Sequence, residues 1–219
     1  MAKTRSGILV SFEGTEGSGK STLIREVACL LDQQSVAWIQ TREPGGNPLA
    51  EKIRSLLLHN AMSPWTELLL YQAARAEHLE QTLLPALLAG KIILCDRFTD
   101  STLAYQSYAR GLPWSQVKTL NRIATQGVSP HLTVFLDLNP AIGLKRASDP
   151  NRFEAEGLEF HKKVRSGFLK ARGERPKQWL TLKVENQTPQ ALALRVFQAL
   201  IKRFPSHFNH LKTPLRTRA

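Results

Sequence analysis

The sequence predicts an α/β fold of three layers, a five-stranded parallel sheet flanked by helices. Three observations carry this. Five short apolar runs alternate with longer stretches of helical periodicity. The first run passes through a glycine-rich turn directly into a helical pattern. Four of the runs end in charged or loop-forming residues at the edge where a parallel sheet collects its ligands.

The expected strands are 8–12, 37–41, 92–96, 132–138 and 179–184. Helices are expected near 19–33, 48–58, 66–89, 101–109, 115–127, 140–147, 154–172 and 189–203. Leu23, Val27, Leu30 and Leu31 share one face of the first. Pro85 should bend the third, and Gly90 should cap its C-terminus. Ser148 to Gly157 is the least core-like internal stretch, polar and interrupted by Pro150, and suits a mobile lid over about 147–157. Residues 1–204 read as one domain, and 205–219 as a basic, flexible tail.

The 219 residues are 42% hydrophobic and 22% charged, as in an ordinary globular domain. No run of about 18 apolar residues offers a membrane span, and the start of the chain is too short and polar for a signal peptide. Cys29 and Cys95 lack metal-ligand spacing and are expected to be reduced core residues of a cytoplasmic protein. The net charge of +12 suits anionic substrates. Lys202, Arg203, Lys212, Arg216 and Arg218 contribute much of the excess, so the charge is assigned to a frayed tail rather than to nucleic-acid binding.

The chemistry is most legible at residues 14–21, Gly-Thr-Glu-Gly-Ser-Gly-Lys-Ser, which fit G-x-x-x-x-G-K-[ST] between a strand and a helix. Gly14, Gly17 and Gly19 let the backbone curl so that the amides of Thr15, Glu16, Ser18 and Thr22 can face phosphate oxygens. Lys20 would bridge the β- and γ-phosphates of ATP, and the Ser21 hydroxyl would ligate Mg²⁺. Asp96 closes the third apolar run, where a carboxylate orients Mg²⁺ through water. Arg97 should then point to a second phosphate, although a strand-end Asp-Arg can also be a structural ion pair. Tyr71 and Arg75 are four apart and share a helix face, a ring and a guanidinium that suit a planar base; an aromatic at helical spacing also suits a core. Ser101, Thr102, Tyr105 and Gln106 could line the same pocket or simply cap a helix.

Together these segments resemble the bacterial thymidylate kinases, from about Ile8 to about Phe204. The resemblance rests on Phe12 to Thr22, on Thr41-Arg42-Glu43-Pro44-Gly45-Gly46, on Ala73-Ala74-Arg75, and on Asp96-Arg97 with Ser101-Thr102 and Tyr105-Gln106. It implies a P-loop kinase fold, ATP-dependent phosphorylation of dTMP to dTDP, and a homodimer built through helices flanking the dTMP site. It further implies that Glu16 faces the dTMP sugar, Arg97 grips the dTMP phosphate, Tyr71 stacks on thymine and Arg75 reaches a thymine carbonyl. Thr102, Tyr105 and Gln106 would surround base and sugar, with Tyr105 favouring deoxyribose. Glu43-Pro44 matches a cis turn, and Arg146 would pack on adenine.

Members of the family keep a catalytic arginine either in the phosphate loop or in the lid. Thr15 to Ser18 contain none, whereas Asn151-Arg152-Phe153-Glu154 is similar to the lid motif Asp-Arg-x-Glu. Arg152 is therefore the expected charge-stabilising residue. Asn151 stands where Asp is common, and the lid is a few residues short. The competing expectations are a nucleotide kinase of another specificity, a nucleic-acid ATPase, for whose coupling domain the chain has little room, and a catalytically dead binding module, against which the intact Lys20, Ser21, Asp96, Arg97 and Arg152 argue.

Overall fold

The computed structural model describes residues 6–146, 152–153 and 155–209. Five strands, β1 (Ile8–Glu13), β2 (Trp38–Arg42), β3 (Ile92–Asp96), β4 (Leu132–Asp137) and β5 (Trp179–Lys183), form one sheet in the order β2-β3-β1-β4-β5. Every pairing is parallel. The central strands are covered on both faces, which is why they read as continuous apolar runs rather than as alternation. The chain leaves β1 toward one edge and returns past it from β3 to β4, so the loops after β1 and β3 emerge side by side, in register at Phe12 and Asp96.

Phe12, Val10, Leu94 and Val134 face α1 (Lys20–Gln33) and α9 (Pro189–Arg203), where Leu23, Val27, Leu31, Val196 and Phe197 complete the core. Leu9, Ile93 and Cys95 point to the opposite layer. That layer holds α2 (Pro48–His59), α3 (Pro64–His78), α4 (Leu84–Leu88), α5 (Thr99–Thr102), α6 (Trp114–Ala124), α7 (Pro140–Arg146) and α8 (Leu158–Glu174). The helices α2, α3 and α9 begin alike: Asn47, Ser63 or Thr188 accepts a first-turn amide, and proline follows. In contrast, α1 begins at Gly19, with no side-chain cap, so its first-turn amides are left to a ligand.

The helix expected over 66–89 is α3, a π-helical turn at Leu79–Leu83, and α4. Pro85 has no N–H to give, and the widened turn before it absorbs the missing bond. Gly90 ends this segment at φ 72°. The helix expected over 101–109 begins at Thr99 and turns π-helical over Leu103–Ala109, a widening that no local residue pattern signals. The last long expectation, 154–172, is α8, which starts only at Leu158 after the extended Gly157.

Cys95 is buried as expected, but Cys29 is not: it lies on the solvent side of α1, opposite the Leu23–Val27–Leu31 stripe. Residues 205–208, expected to open the basic tail, form a 3₁₀ turn whose Phe208 is buried at 5.6 Å from the Phe197 ring. The tail beyond 209, and 147–151 and 154 of the expected lid, lie outside the described residues. Among the described residues no helix is long and apolar enough to cross a membrane.

Candidate active site

A cavity of about 310 Å³ opens at the carboxyl edge of the sheet, between the loops after β1, β2 and β3 and the helices α2 and α3. Glu16, Gly17, Lys20 and Ser21 form one end. Asp96, Arg97 and Ser101 form the floor, and Glu43 and Pro44 one side. Tyr71, Arg75, Thr102, Tyr105 and Gln106 line the other end. Arg42 and Phe153, quoted within sequence motifs but given no role of their own, also line it, as do Arg54, Leu58 and Phe98, which were not singled out from sequence.

The loop 14–21 curls through Gly14, Gly17 and Gly19, all at positive φ. Gly17 is also needed for space: a Cβ there would lie 2.0 Å from the Gly143 carbonyl oxygen on α7, and one on Gly143 would lie 2.3 Å from the Glu16 carbonyl oxygen. Lys20 is buried and turns its ammonium onto Gly14 O (3.2 Å), Thr15 O (3.0 Å) and Ser18 Oγ (3.4 Å). Burial and the nearby Arg97 lower its pKa, a field that favours an incoming anion. Ser21 Oγ donates to Asp96 Oδ2 at 3.2 Å, while Asp96 Oδ1 is buried without a hydrogen-bond partner. That hydroxyl and orphaned oxygen, at the end of a phosphate loop, fit a hard cation that keeps most of its waters.

Arg97 is not paired with its neighbour Asp96. Its backbone is left-handed (φ 69°), which swings the side chain back over the phosphate loop. There Nη1 donates to Gly14 O at 3.0 Å and Nη2 to Glu16 Oε2, and the guanidinium lies 5.0 Å from the Tyr105 ring centroid. Burial is the largest influence and opposes its charge, but Glu16, Tyr105, Asp96 and Glu13 together outweigh it and hold the pKa above the ordinary arginine value. Glu16, likewise desolvated, is held below the usual carboxylate range by Arg97 and Lys20 and also accepts the Tyr105 hydroxyl at 3.0 Å.

Arg75 is almost wholly buried. Its Nε donates to Glu43 Oε2 at 2.7 Å, and Nη1 to Asn121 Oδ1 at 2.7 Å, Gln72 Oε1 at 3.2 Å and Thr102 Oγ1 at 3.3 Å. Nη2 carries none of these bonds. Burial works against ionised Glu43, yet Arg75 and His78 keep its pKa low. The cis Glu43-Pro44 bond expected from the resemblance is present. Asn121, from α6, was missed because one polar residue in an amphipathic helix gives no signal of its own; Arg54, which donates to Pro44 O at 3.0 Å, could have been found as a cation on the apolar side of α2.

Neither Arg146 nor Arg152 lines this cavity. Arg146 is exposed at the end of α7. Arg152 is not a lining residue: Nε and Nη2 donate to Leu57 O at 3.2 and 3.0 Å, and Nη1 pairs with buried Glu67 at 2.7 Å. The same carboxylate accepts Gln106 Nε2 at 2.8 Å. Phe153 follows into the cavity wall, 6.4 Å from the Tyr71 ring and 5.9 Å from the Tyr105 ring.

The sequence profile described as thymidylate kinase matches residues 12–193. A thymidylate kinase of Geotalea uraniireducens is 47% identical over 188 residues, covering 80% of this chain and 88% of that one. A thymidylate kinase of Enterococcus faecalis is 42% identical over 212 residues, covering 92% and 99%. The crystal structure of thymidylate kinase from Ehrlichia chaffeensis superposes with a TM-score of 0.74 at 31% identity, covering 89% of this chain and 99% of that one.

Proposed function

The chain belongs to the thymidylate kinase family, and from that premise we propose how its own residues carry out ATP-dependent phosphorylation of dTMP. The observation that carries the reading is one cavity that joins a phosphate loop at one end to a Tyr71–Arg75–Tyr105 wall at the other. ATP lies with its phosphates along Gly14 to Thr22, in contact with the uncapped amides of α1 and with Lys20, and Arg146 takes the adenine. The thymine of dTMP lies against Tyr71, with Arg75 Nη2 toward a carbonyl and Thr102 and Gln106 at the edge. Its sugar meets Glu16 and Tyr105, its phosphate Arg97.

A dTMP phosphate oxygen attacks the γ-phosphorus in line, the new P–O bond forms as the bond to the β-phosphate oxygen breaks, and ADP leaves. The attacking monoester is already ionised, so the residues mainly orient and neutralise. Lys20 and Arg97 do this from opposite ends of the path. Arg152 neutralises the transferred group once it leaves Glu67 and Leu57 O. Ser21 and Asp96 are the residues that would hold Mg²⁺, which when bound supplies charge neutralisation on the phosphate oxygens.

The apolar side chains exposed on α2 (Leu49, Leu56), α3 (Trp65, Leu69) and α6 (Ile123) support a homodimer through this layer, which light scattering of the purified protein would test. The unpaired thiols of Cys29 and Cys95 support a reducing, cytoplasmic setting. The function itself is tested by coupled ADP release with ATP and Mg²⁺ over a panel of nucleoside monophosphates. Turnover with dTMP and little with AMP, CMP or GMP is expected. Equal turnover with a purine monophosphate, or hydrolysis without an acceptor, would overturn the reading.

A further inference from the structure

Glu13 is the last residue of β1, directly before the phosphate loop, and is wholly buried. A carboxyl group there is costly unless its oxygens are satisfied. It has no ion-pair partner among the described residues. Instead Oε1 accepts the Phe98 N–H at 2.8 Å, and the Ser101 hydroxyl donates to Oε2 at 2.6 Å. Both donors belong to the segment that follows Arg97. Phe98 precedes the first turn of α5 and has no capping side chain, so Glu13 satisfies from across the sheet an amide that this helix end leaves open.

This clamps Arg97 from both sides. Its own N–H donates to Phe12 O at 3.0 Å, and the next N–H goes to Glu13. A left-handed arginine is uncommon and strained, so it persists only where its surroundings over-determine it. Two successive amides fixed on the end of β1 do that. The Ser101 hydroxyl, also bound to Glu13, lies 3.3 Å from Arg97 Nη1.

We propose that Glu13 is a positioning residue for the phosphoryl acceptor: it sets the backbone of Arg97, and through it the place where the guanidinium meets the dTMP phosphate. The inference rests on the reading of Arg97 given above. It accounts for a carboxyl group placed where an amide-accepting polar residue is needed but water is excluded. The charged groups around it are Asp100 and Arg97 beyond β3 and Lys20 on α1. Burial, aided by Asp100, pushes the Glu13 carboxyl up to about 8. At neutral pH it is therefore mostly the uncharged acid, whose shape a glutamine reproduces, and the Ser101 hydroxyl can turn from donor to acceptor to meet the amide.

The experiment is steady-state kinetics on the full chain, with dTMP and ATP varied separately, for Arg97→Ala, Glu13→Ala, Glu13→Gln and the double variant Glu13→Ala/Arg97→Ala. Arg97→Ala should raise KM for dTMP strongly; if it does not, the reading of Arg97 fails first, and the inference with it. Given that rise, Glu13→Ala should raise KM for dTMP by about tenfold or more, the loss of one to two buried hydrogen bonds' worth of alignment, with KM for ATP within about threefold. Glu13→Gln should restore most of it. In the Arg97→Ala background, Glu13→Ala should add nothing to KM for dTMP, because its effect passes through Arg97. An equal rise in both KM values, no rescue by glutamine, or additive effects in the double variant would overturn the inference. If Glu13→Ala does not fold, Ser101→Ala replaces it in the same cycle, with a smaller rise expected and independence from Arg97 overturning it.

Discussion

Glu13→Gln should change how stability depends on pH, and the sign follows from the burial. The Glu13 carboxyl is raised from 4.5 to about 8 in the folded protein. Between those values the folded chain holds a proton that the unfolded chain has released, so stability is greatest below about pH 4.5 and is lost as pH rises through 8. At about 1.4 kcal/mol per unit, the full shift corresponds to about 5 kcal/mol, of which about 3–4 kcal/mol is lost between pH 5 and 8. Asp100, which also titrates high because of burial, shares in the wild-type slope but is retained in the variant. The assay is urea unfolding followed by tryptophan fluorescence at pH 5.5, 7 and 8.5. The stability of Glu13→Gln relative to wild type should climb by kilocalories per mole across that range. A difference that stays constant within about 0.5 kcal/mol would refute the claim that Glu13 is a buried, mostly protonated acid, since an ordinary carboxylate has finished titrating below pH 6.

Two further perturbations test other parts of the site. Arg152→Ala should lower kcat by about 10²-fold or more, because the proposed role of the residue is to neutralise the transferred phosphoryl group, and should also lower the melting temperature, because it takes the cation from buried Glu67; a change in KM for dTMP alone, with kcat kept, would place its role at Glu67 and not at the phosphates. Gly143→Ala puts a methyl group 2.3 Å from the Glu16 carbonyl oxygen, so α7 and the phosphate loop must part; KM for ATP should rise about tenfold or more, and an unchanged KM would show that the two segments separate freely.

The three central strands were legible because each is buried on two faces and so reads as a mainly apolar run; β1, β3 and β4 differ from expectation by a residue at most. The phosphate loop was legible for a different reason, since its glycines answer to backbone angles and close approach that other residues cannot meet. Local logic ends where a residue's purpose lies across the sheet. Glu13 looks like the first polar residue after a strand, and only the fold shows that it closes on Phe98 and Ser101. Gly143 looks like a poor helix residue, until Glu16 is found against it. Glu67 reads as a first-turn acid of α3, favourable near a helix N-terminus, yet it is buried beneath Gln106 and Arg152.

The arginines were expected from sequence, but the way each is held was not. Arg75, Arg97 and Arg152 each meet a carboxylate or carbonyl oxygen inside the protein, and each of those partners is itself buried or part-buried. A buried charge paired in this way gives little net stability, whereas removing one partner costs about 3–5 kcal/mol. Such pairs are thus poor devices for holding a fold and good ones for fixing a direction. In the mechanism proposed above, Lys20 and Arg97 point along one phosphate-to-phosphate line, and Arg75 points at a base. Hydrophobic packing cannot specify where a guanidinium points, because it has no direction; hydrogen bonds donated to Glu16 and Glu43 can, as can the backbone amide next to Arg97 that is donated to Glu13. The carboxylates under the cavity suit a kinase that works by positioning; Glu16 and Glu43 lie inside recognisable motifs, whereas the roles of Glu13 and of Glu67 on α3 show only once the fold brings their partners to them.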